Sequence, residues 1–155
     1  MNFVPADLPG AVLFCCTMNA IRSVMAEALM KHLFGHVVYI DSVGVRTGDI
    51  NPFAVVVMDE IGIDITRHRS KSFEDLDDDS FDLIISLSPE SQHSAVEMTR
   101  NMACEVEFWN TFDPSMIEGN RDQRLAAYRE VRDGLMKRIG ERLADADAAS
   151  GGPTV

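Results

Sequence analysis

A short unbroken apolar run, Ala11-Val12-Leu13-Phe14-Cys15, gives way within a few residues to a stretch of helical periodicity. A run of this kind suits a strand buried on both faces. From Ser23 to about His32 the apolar positions Val24, Ala28, Leu29 and Leu33 fall at helical spacing, and Gly35 supplies the stop. A buried strand that feeds directly into a helix is the opening half of a strand–helix–strand unit. Such units build parallel sheets covered on both faces, joined by right-handed crossovers.

The pattern continues along the chain. Val37-Val38-Tyr39-Ile40 reads as a second strand ending in Asp41-Ser42-Val43-Gly44, and Phe53 to Ile61 reads as a helix that Gly62 ends. Phe81 to Ser86 is a third strand, Glu90 to Asn101 a third helix, and Cys104 to Phe108 a fourth strand. A loop from Trp109 to Met116 holds Asp113-Pro114. A long helix follows from about Asn120 to Ala144, with Leu125, Tyr128, Val131, Leu135, Ile139 and Leu143 on one stripe. Residues 1–9 read as a lead-in and 146–155, rich in Ala, Gly, Ser and Asp, as a flexible tail. The expectation is one domain over residues 1–155: an α/β doubly wound sheet of four parallel strands with helices on both faces. In such sheets ligands bind beyond the carboxyl ends of the strands, where the strand order reverses. That edge would gather Cys16, Ser42, Ser86 and the Trp109–Asp113 loop.

The first of those ends carries a chemistry. Cys16-Thr17-Met18-Asn19-Ala20-Ile21-Arg22-Ser23 joins a thiol and a guanidinium through a short loop at a helix N-terminus. Loop N–H groups and the positive helix end would favour the thiolate and cradle the oxygens of a tetrahedral anion. Arg22 offers a planar fork for two of those oxygens. At a helix N-terminus a cation opposes the dipole, so its position makes sense with an anion beside it. The residues thus read as a cysteine-dependent phosphate-ester hydrolase.

Composition narrows the alternatives. A formal net charge of −11 argues against nucleic acid or an anionic membrane as partner, and it requires an anion site to generate its positive potential locally. No stretch approaches the roughly 18 apolar residues of a membrane span, and the N-terminus lacks a secretion-signal layout. Three cysteines, two of them adjacent, make no disulfide framework, which points to a reducing cytoplasm. His32, His36 and His93 share no metal-binding spacing with the cysteines, and no cofactor is expected. The acidic run Asp75-Leu76-Asp77-Asp78-Asp79 reads as a solvated loop.

With the loop, the Asp113-Pro114 step and the topology together, the chain resembles the low-molecular-weight protein tyrosine phosphatase family and its arsenate-reductase relatives. The likeness spans roughly Gly10 to Leu143. It rests on Val12 to Ser23 followed by Met25-Ala26-Glu27-Ala28, on Asp41-Ser42-Val43-Gly44, on Gly62-Ile63-Asp64 with His68-Arg69-Ser70, and on Asp113-Pro114. The resemblance implies a flavodoxin-like sheet and a phosphocysteine intermediate. Cys16 would be the nucleophile. Thr17, Met18, Asn19, Ala20, Ile21, Arg22 and Ser23 would form the phosphate-binding loop, with Arg22 and the loop N–H groups holding the equatorial oxygens. Asp113 would be the general acid and then the base. Ser23 would donate to the thiolate, and Ser42 and His68 would brace a left-handed Asn19.

Two departures stand out. Met18 occupies a loop position where the family usually carries glycine. The aromatic residues that follow Asp-Pro in the tyrosine phosphatases are replaced by Ser115-Met116-Ile117-Glu118-Gly119, nearer the arsenate-reductase branch.

Phosphomonoester hydrolysis, on a phosphorylated protein or a small aryl phosphate, ranks first on these residues. Arsenate reduction ranks second and would need an external thiol donor. Relatives with internal resolving cysteines carry them after strand three, where this chain has Ser86, Ser88 and Ser91. Cys104, at the start of strand four, should lie far from the active edge. A phosphate- or partner-binding module without turnover is the third reading, and a nucleophile paired with an acid argues against it. Cys15 and Trp109 read as packing residues and His68 as a structural histidine.

Overall fold

Side chains alternate across the first strand and sort the interior into two layers. The computed structural model describes residues 8–77 and 80–151, so the lead-in positions 1–7, Asp78 and Asp79 of the acidic run, and the last four tail positions lie outside the described residues. In β1 (Ala11–Cys16), Val12, Phe14 and Cys16 face the larger layer; Leu13 and Cys15 face the smaller one. Every residue of β1 from Val12 to Cys16 is buried, as expected of a strand in mid-sheet.

The sheet contains β1, β2 (Tyr39–Gly44), β3 (Leu83–Ser86) and β4 (Glu105–Phe108), all parallel, in the order β2-β1-β3-β4. The chain first steps from β1 to β2 on one side, then crosses back to β3 on the other. This is the flavodoxin-like doubly wound arrangement, and the reversal lies at the carboxyl ends of β1 and β3. Helices α1 (Arg22–Phe34), α2 (Pro52–Asp59) and α4 (Arg121–Gly151) build the larger layer, and α3 (Pro89–Met98) covers the other face.

Several boundaries differ from the sequence expectation for local reasons. Val37 and Val38 return their N–H groups to the Phe34 carbonyl, at 3.0 and 2.9 Å, so they close α1 and leave β2 to begin at Tyr39. Helix α2 starts at Pro52 because the Asn51 side chain caps it, accepting from Phe53 N at 2.9 Å and Ala54 N at 3.3 Å. A reciprocal Ser88–Ser91 box starts α3 at Pro89, and an Asn120–Gln123 exchange starts α4 at Arg121. Helix α4 runs to Gly151, so residues 146–151, expected in a tail, extend the helix. Alanine is the strongest helix former, and the alanine-rich composition that suggested a tail equally supports helix.

The stripe on α4 packs as its periodicity predicts: Leu125, Tyr128, Val131, Leu135, Ile139 and Leu143 are all buried in the larger layer. Helices α2 and α4 are further clamped through Glu60. Its carboxylate takes Arg129 Nη2 at 2.7 Å and Arg132 Nη1 at 2.8 Å, and Arg132 also donates to the Val57 carbonyl. The Arg129 hydrogen bonds hold the Glu60 carboxyl down at about 2.

Truncating Leu135 to alanine should destabilise the fold by about 2–5 kcal/mol, read by denaturant unfolding, because it empties a position 2% exposed. A carboxyl with a depressed folded-state pKa contributes stability above its ordinary value near about 4.3. That contribution fades as pH falls toward about 2. Glu60→Gln should therefore lower stability at neutral pH by less than ~1 kcal/mol, since the clamp is partly exposed. The gap between variant and parent should close progressively on acidification in thermal melts.

Candidate active site

Cys16 ends β1 and Arg22 begins α1, so the five residues between them form the whole strand-to-helix turn. Ile21 stands at the N-cap and gives α1 no side-chain hydrogen bond, so the first-turn N–H groups have no protein side chain as acceptor there. The loop's carbonyls are taken from outside it. Val45 N donates to Cys16 O at 3.0 Å, Arg46 N to Thr17 O at 2.8 Å, Ser70 Oγ to Met18 O at 3.1 Å and Asn51 N to Ala20 O at 3.2 Å. Peptide planarity sends the N–H groups that follow those carbonyls the opposite way. Thr17 Oγ1 adds a bond to Ser88 Oγ at 3.1 Å, tying the loop to the start of α3.

Asn19 is the only non-glycine residue among those described with positive φ, at 51°. Asparagine tolerates this left-handed region better than most residues. Its buried amide uses its full hydrogen-bonding capacity. Nδ2 donates to Ser23 Oγ at 2.8 Å and to Ser42 Oγ at 2.9 Å, while Oδ1 accepts from Lys71 N and His68 Nε2, both at 3.0 Å. These bonds fix proton directions. Ser23 accepts from Asn19, so its own hydroxyl proton is free for Cys16 Sγ, 2.9 Å away. Ser42 likewise accepts from Asn19 and passes its proton to the Glu27 carboxylate. Met18 has no left-handed backbone, so its conformation is open to a residue with a Cβ. Gly44 is the position that needs glycine, because a Cβ there would stand 2.7 Å from Asn19 N.

Glu27 is buried in α1 and pairs with Lys31. His68 Nδ1 lies 3.9 Å from Glu27 Oε1. Burial pushes the His68 pKa below its ordinary value against the opposing pull of Glu27. A neutral ring with its proton on Nε2 fits the Asn19 acceptor. Lys71 Nζ meets Asp41 Oδ2 at 2.6 Å, and Asp41 Oδ1 takes Ser42 N at 2.8 Å, which pins the 68–71 segment to β2. Sequence reading missed Glu27, Lys71 and Asp41 as supports. For Glu27 there was a signal: an acid inside the apolar Met25-Ala26-Glu27-Ala28 face.

Asp113 arrives from the far side of the sheet. Trp109 is buried at the end of β4, edge-on to Phe14 with ring centroids 6.4 Å apart, and Thr111 N donates to Leu87 O at 3.0 Å. The Thr111 carbonyl then accepts from Arg22 Nη1 at 3.0 Å, which joins the acid loop to the guanidinium. Asp113 Oδ1 accepts from Ser115 N at 3.0 Å and Ser115 Oγ at 2.7 Å, starting the short turn Pro114–Met116. Cys16, Met18, Arg22, Asp49, Asp113 and Ser115 all line one cavity of about 280 Å³. Thiol, guanidinium and carboxylic acid are therefore brought together, as the sequence pattern anticipated. A larger cavity of about 560 Å³, between the acid loop and α4, contains no cysteine.

The other two thiols are elsewhere. Cys15 points to the opposite layer, with Sγ 3.9 Å from the Ile85 and Ser91 carbonyls, and burial pushes its pKa far up. Cys104 precedes β4. The register pairs Glu105 with Leu83 and Phe108 with Ser86, so Cys104 sits at the amino-terminal end of the sheet. Burial also raises its pKa. Cys16 is the sole thiol at the carboxyl edge.

Comparison with known proteins identifies relatives of the whole fold. Residues 11–145 fit the family model described as low molecular weight phosphotyrosine protein phosphatase. An arsenate reductase of Halalkalibacterium halodurans is 34% identical over 128 residues, covering 83% of this chain and 91% of its own. A glutaredoxin arsenate reductase of Synechocystis is 30% identical over 133 residues, covering 86% and 95%. Among solved structures, an arsenate reductase in the phosphate binding state superposes with TM-score 0.72 at 29% identity, covering 88% of this chain and 98% of that one. The low molecular weight protein tyrosine phosphatase from T. tengcongensis gives 0.72 at 26% identity, covering 87% and 98%. The chain belongs to the low molecular weight phosphotyrosine protein phosphatase family.

Proposed function

We propose that this chain reduces arsenate with electrons drawn from an external thiol, using Cys16 as nucleophile. The observation that carries this reading is a single-thiol cavity in a chain whose curated relatives are named arsenate reductases. Phosphomonoester hydrolysis ranked first on the residues alone, and the relatives reverse that order.

The chemistry runs in three steps. Cys16 thiolate attacks arsenic, Arg22 and the loop N–H groups hold the oxygens, and Asp113 protonates the departing oxygen, which leaves as water. The thiolate of the donor then attacks Cys16 Sγ. The sulfur–arsenic bond breaks, its electron pair stays on arsenic, and arsenite departs from a mixed disulfide. A second donor thiol takes the first donor's sulfur and frees Cys16. Two thiols become one disulfide as arsenic(V) becomes arsenic(III). Neither Cys15, buried on the opposite layer, nor Cys104, at the opposite end of the sheet, is placed to serve as the internal donor.

A second reading is favoured by Asp113 itself. A carboxyl in the cavity of Cys16 and Arg22 can protonate an alkoxide leaving group and then activate water, which completes phosphomonoester hydrolysis without a second thiol. The first displacement is common to both reactions; what attacks the adduct separates them.

The deciding experiment compares arsenite production with several thiol donors against hydrolysis of an aryl phosphate. Thiol-dependent arsenite production that survives Cys15→Ser and Cys104→Ser is expected. Hydrolysis of aryl phosphate with no arsenite from any thiol would select the second reading. Cys16→Ser should abolish both activities while leaving the thermal melt near that of the parent, because a hydroxyl is far less ionised than a thiol in the same loop.

Asp113→Asn should lower kcat for phosphate esters with basic leaving groups by about 10²–10⁴-fold, and much less for activated esters. An equal loss across leaving groups would assign Asp113 to the Pro114–Met116 turn alone.

A further inference from the structure

We propose that Met18 is a specificity-determining residue, whose side chain closes the catalytic cavity on the side of residues 47–50 and confines it to compact oxyanions. The proposal deepens the reductase reading and rests on it, since arsenate is an oxyanion with no organic group to accommodate. Met18 stands two residues after Cys16 and lines the same cavity of about 280 Å³, as do Gly48 and Asp49. Gly48 and Asp49 also line a second, polar hollow of about 780 Å³, together with His68, Arg69 and Ser70. Two spaces thus meet along Gly48 and Asp49, and the Met18 side chain lies against that edge from the Cys16 side.

The path of Met18 is set by what Gly48 lacks. A Cβ on Gly48 would stand 3.1 Å from Met18 Cε and 3.6 Å from Met18 Cβ, so the methionine tip takes the place that a side chain at 48 would claim. The next nearest atom to that point is the Ala20 Cβ, at 3.8 Å. Ser70 ties the two backbones together: its Oγ donates to Met18 O and accepts from Gly48 N, each at 3.1 Å. Methionine is flexible and fills irregular gaps well. Here its main chain is pinned and its tip has a seat. Without the thioether, Gly48 and Ala20 leave only short groups at this edge, and the cradle would open into the larger hollow.

The rest of the cavity also suits a compact ligand. Among the described residues that line it none is aromatic, so an aryl group finds no ring face to stack on. Arg22 and the loop N–H groups contact only the oxygens of a tetrahedral anion, and a bare anion needs nothing more. An ester with a broad organic group would have to extend past Met18, which keeps 38% of its surface exposed at the opening. Asp49 and Asp113 place two carboxylates there as well, which disfavours an acidic peptide.

The test compares two non-hydrolysable ligands of equal charge, methylphosphonate and 2-naphthylmethylphosphonate, and needs neither arsenate nor turnover. Dissociation constants are read from the amide shifts of loop residues 16–23 in NMR titrations. Met18→Ala should move the ratio of the two constants about tenfold in favour of the naphthyl ligand, and Met18→Leu, with a side chain of similar bulk, should keep the parent ratio. A ratio unchanged in Met18→Ala would overturn the proposal. A second comparison needs no variant. The parent should bind 2-naphthylmethylphosphonate no more tightly than methylphosphonate, although the ring would add apolar burial wherever space allowed it. A parent that prefers the naphthyl ligand by about tenfold or more would overturn the proposal as well. Absence of arsenite with every thiol, alongside the expected ratios, would defeat the reductase reading and leave the role of Met18 standing. Arsenite production by a parent that welcomes the ring would do the reverse.

Discussion

The side-chain amide of Asn19 holds the cradle in shape. It joins the loop after β1 to the first turn of α1 through Ser23, to β2 through Ser42, and to the 68–71 segment through His68 and Lys71. The left-handed backbone at Asn19 is strained relative to ordinary residues, and such strain persists where surrounding bonds over-determine it. Two of these bonds, to Ser23 and Ser42, orient hydroxyl protons, one toward Cys16 and one toward Glu27. A buried amide with every site matched is rigid because leaving any one unmatched would be unfavourable.

The chemistry depends on how positive potential is produced in an acidic chain. Arg22 is tied to the acid loop through the Thr111 carbonyl, so the guanidinium that would hold an anion and the loop that carries Asp113 are positioned by one another. The alternation of β1 does the rest. Cys16 falls on the larger layer at the sheet edge, while Cys15, one residue earlier, is turned into the opposite layer with its thiol kept protonated by burial. Adjacent cysteines therefore have unrelated environments.

Much of the fold is legible from side-chain period. The β1 run, the α4 stripe and the strand–helix alternation each encode burial directly, and each is found where the pattern puts it. Boundaries are less legible because hydrogen bonds rather than hydrophobicity set them. Val37 and Val38 look like strand yet close α1, and Ala146 onward looks like a tail yet continues α4. In the site, Cys16 and Arg22 announce themselves by residue type and spacing, whereas the parts of Ser23 and Asp113 came only with the family resemblance. Glu27, Lys71 and Asp41 do not, because their parts depend on which hydroxyl or amide each one meets.

The sequence by itself determined the parallel alternating architecture and the thiol–guanidinium loop, because both are local: periodicity and a short loop need no distant partner. Tertiary structure decided the contacts around that loop, some in line with the resemblance and others, such as Lys71, unannounced. It brought Asp113 across the sheet into the Cys16 cavity and set Lys71 and His68 on the Asn19 amide. It also stacked Arg121 and Arg124 on Phe53, roughly seventy positions away. Those meetings depend on strand order and on the helix caps at Asn51 and Asn120, which fix where the crossovers begin. No pattern within a single segment carries that information.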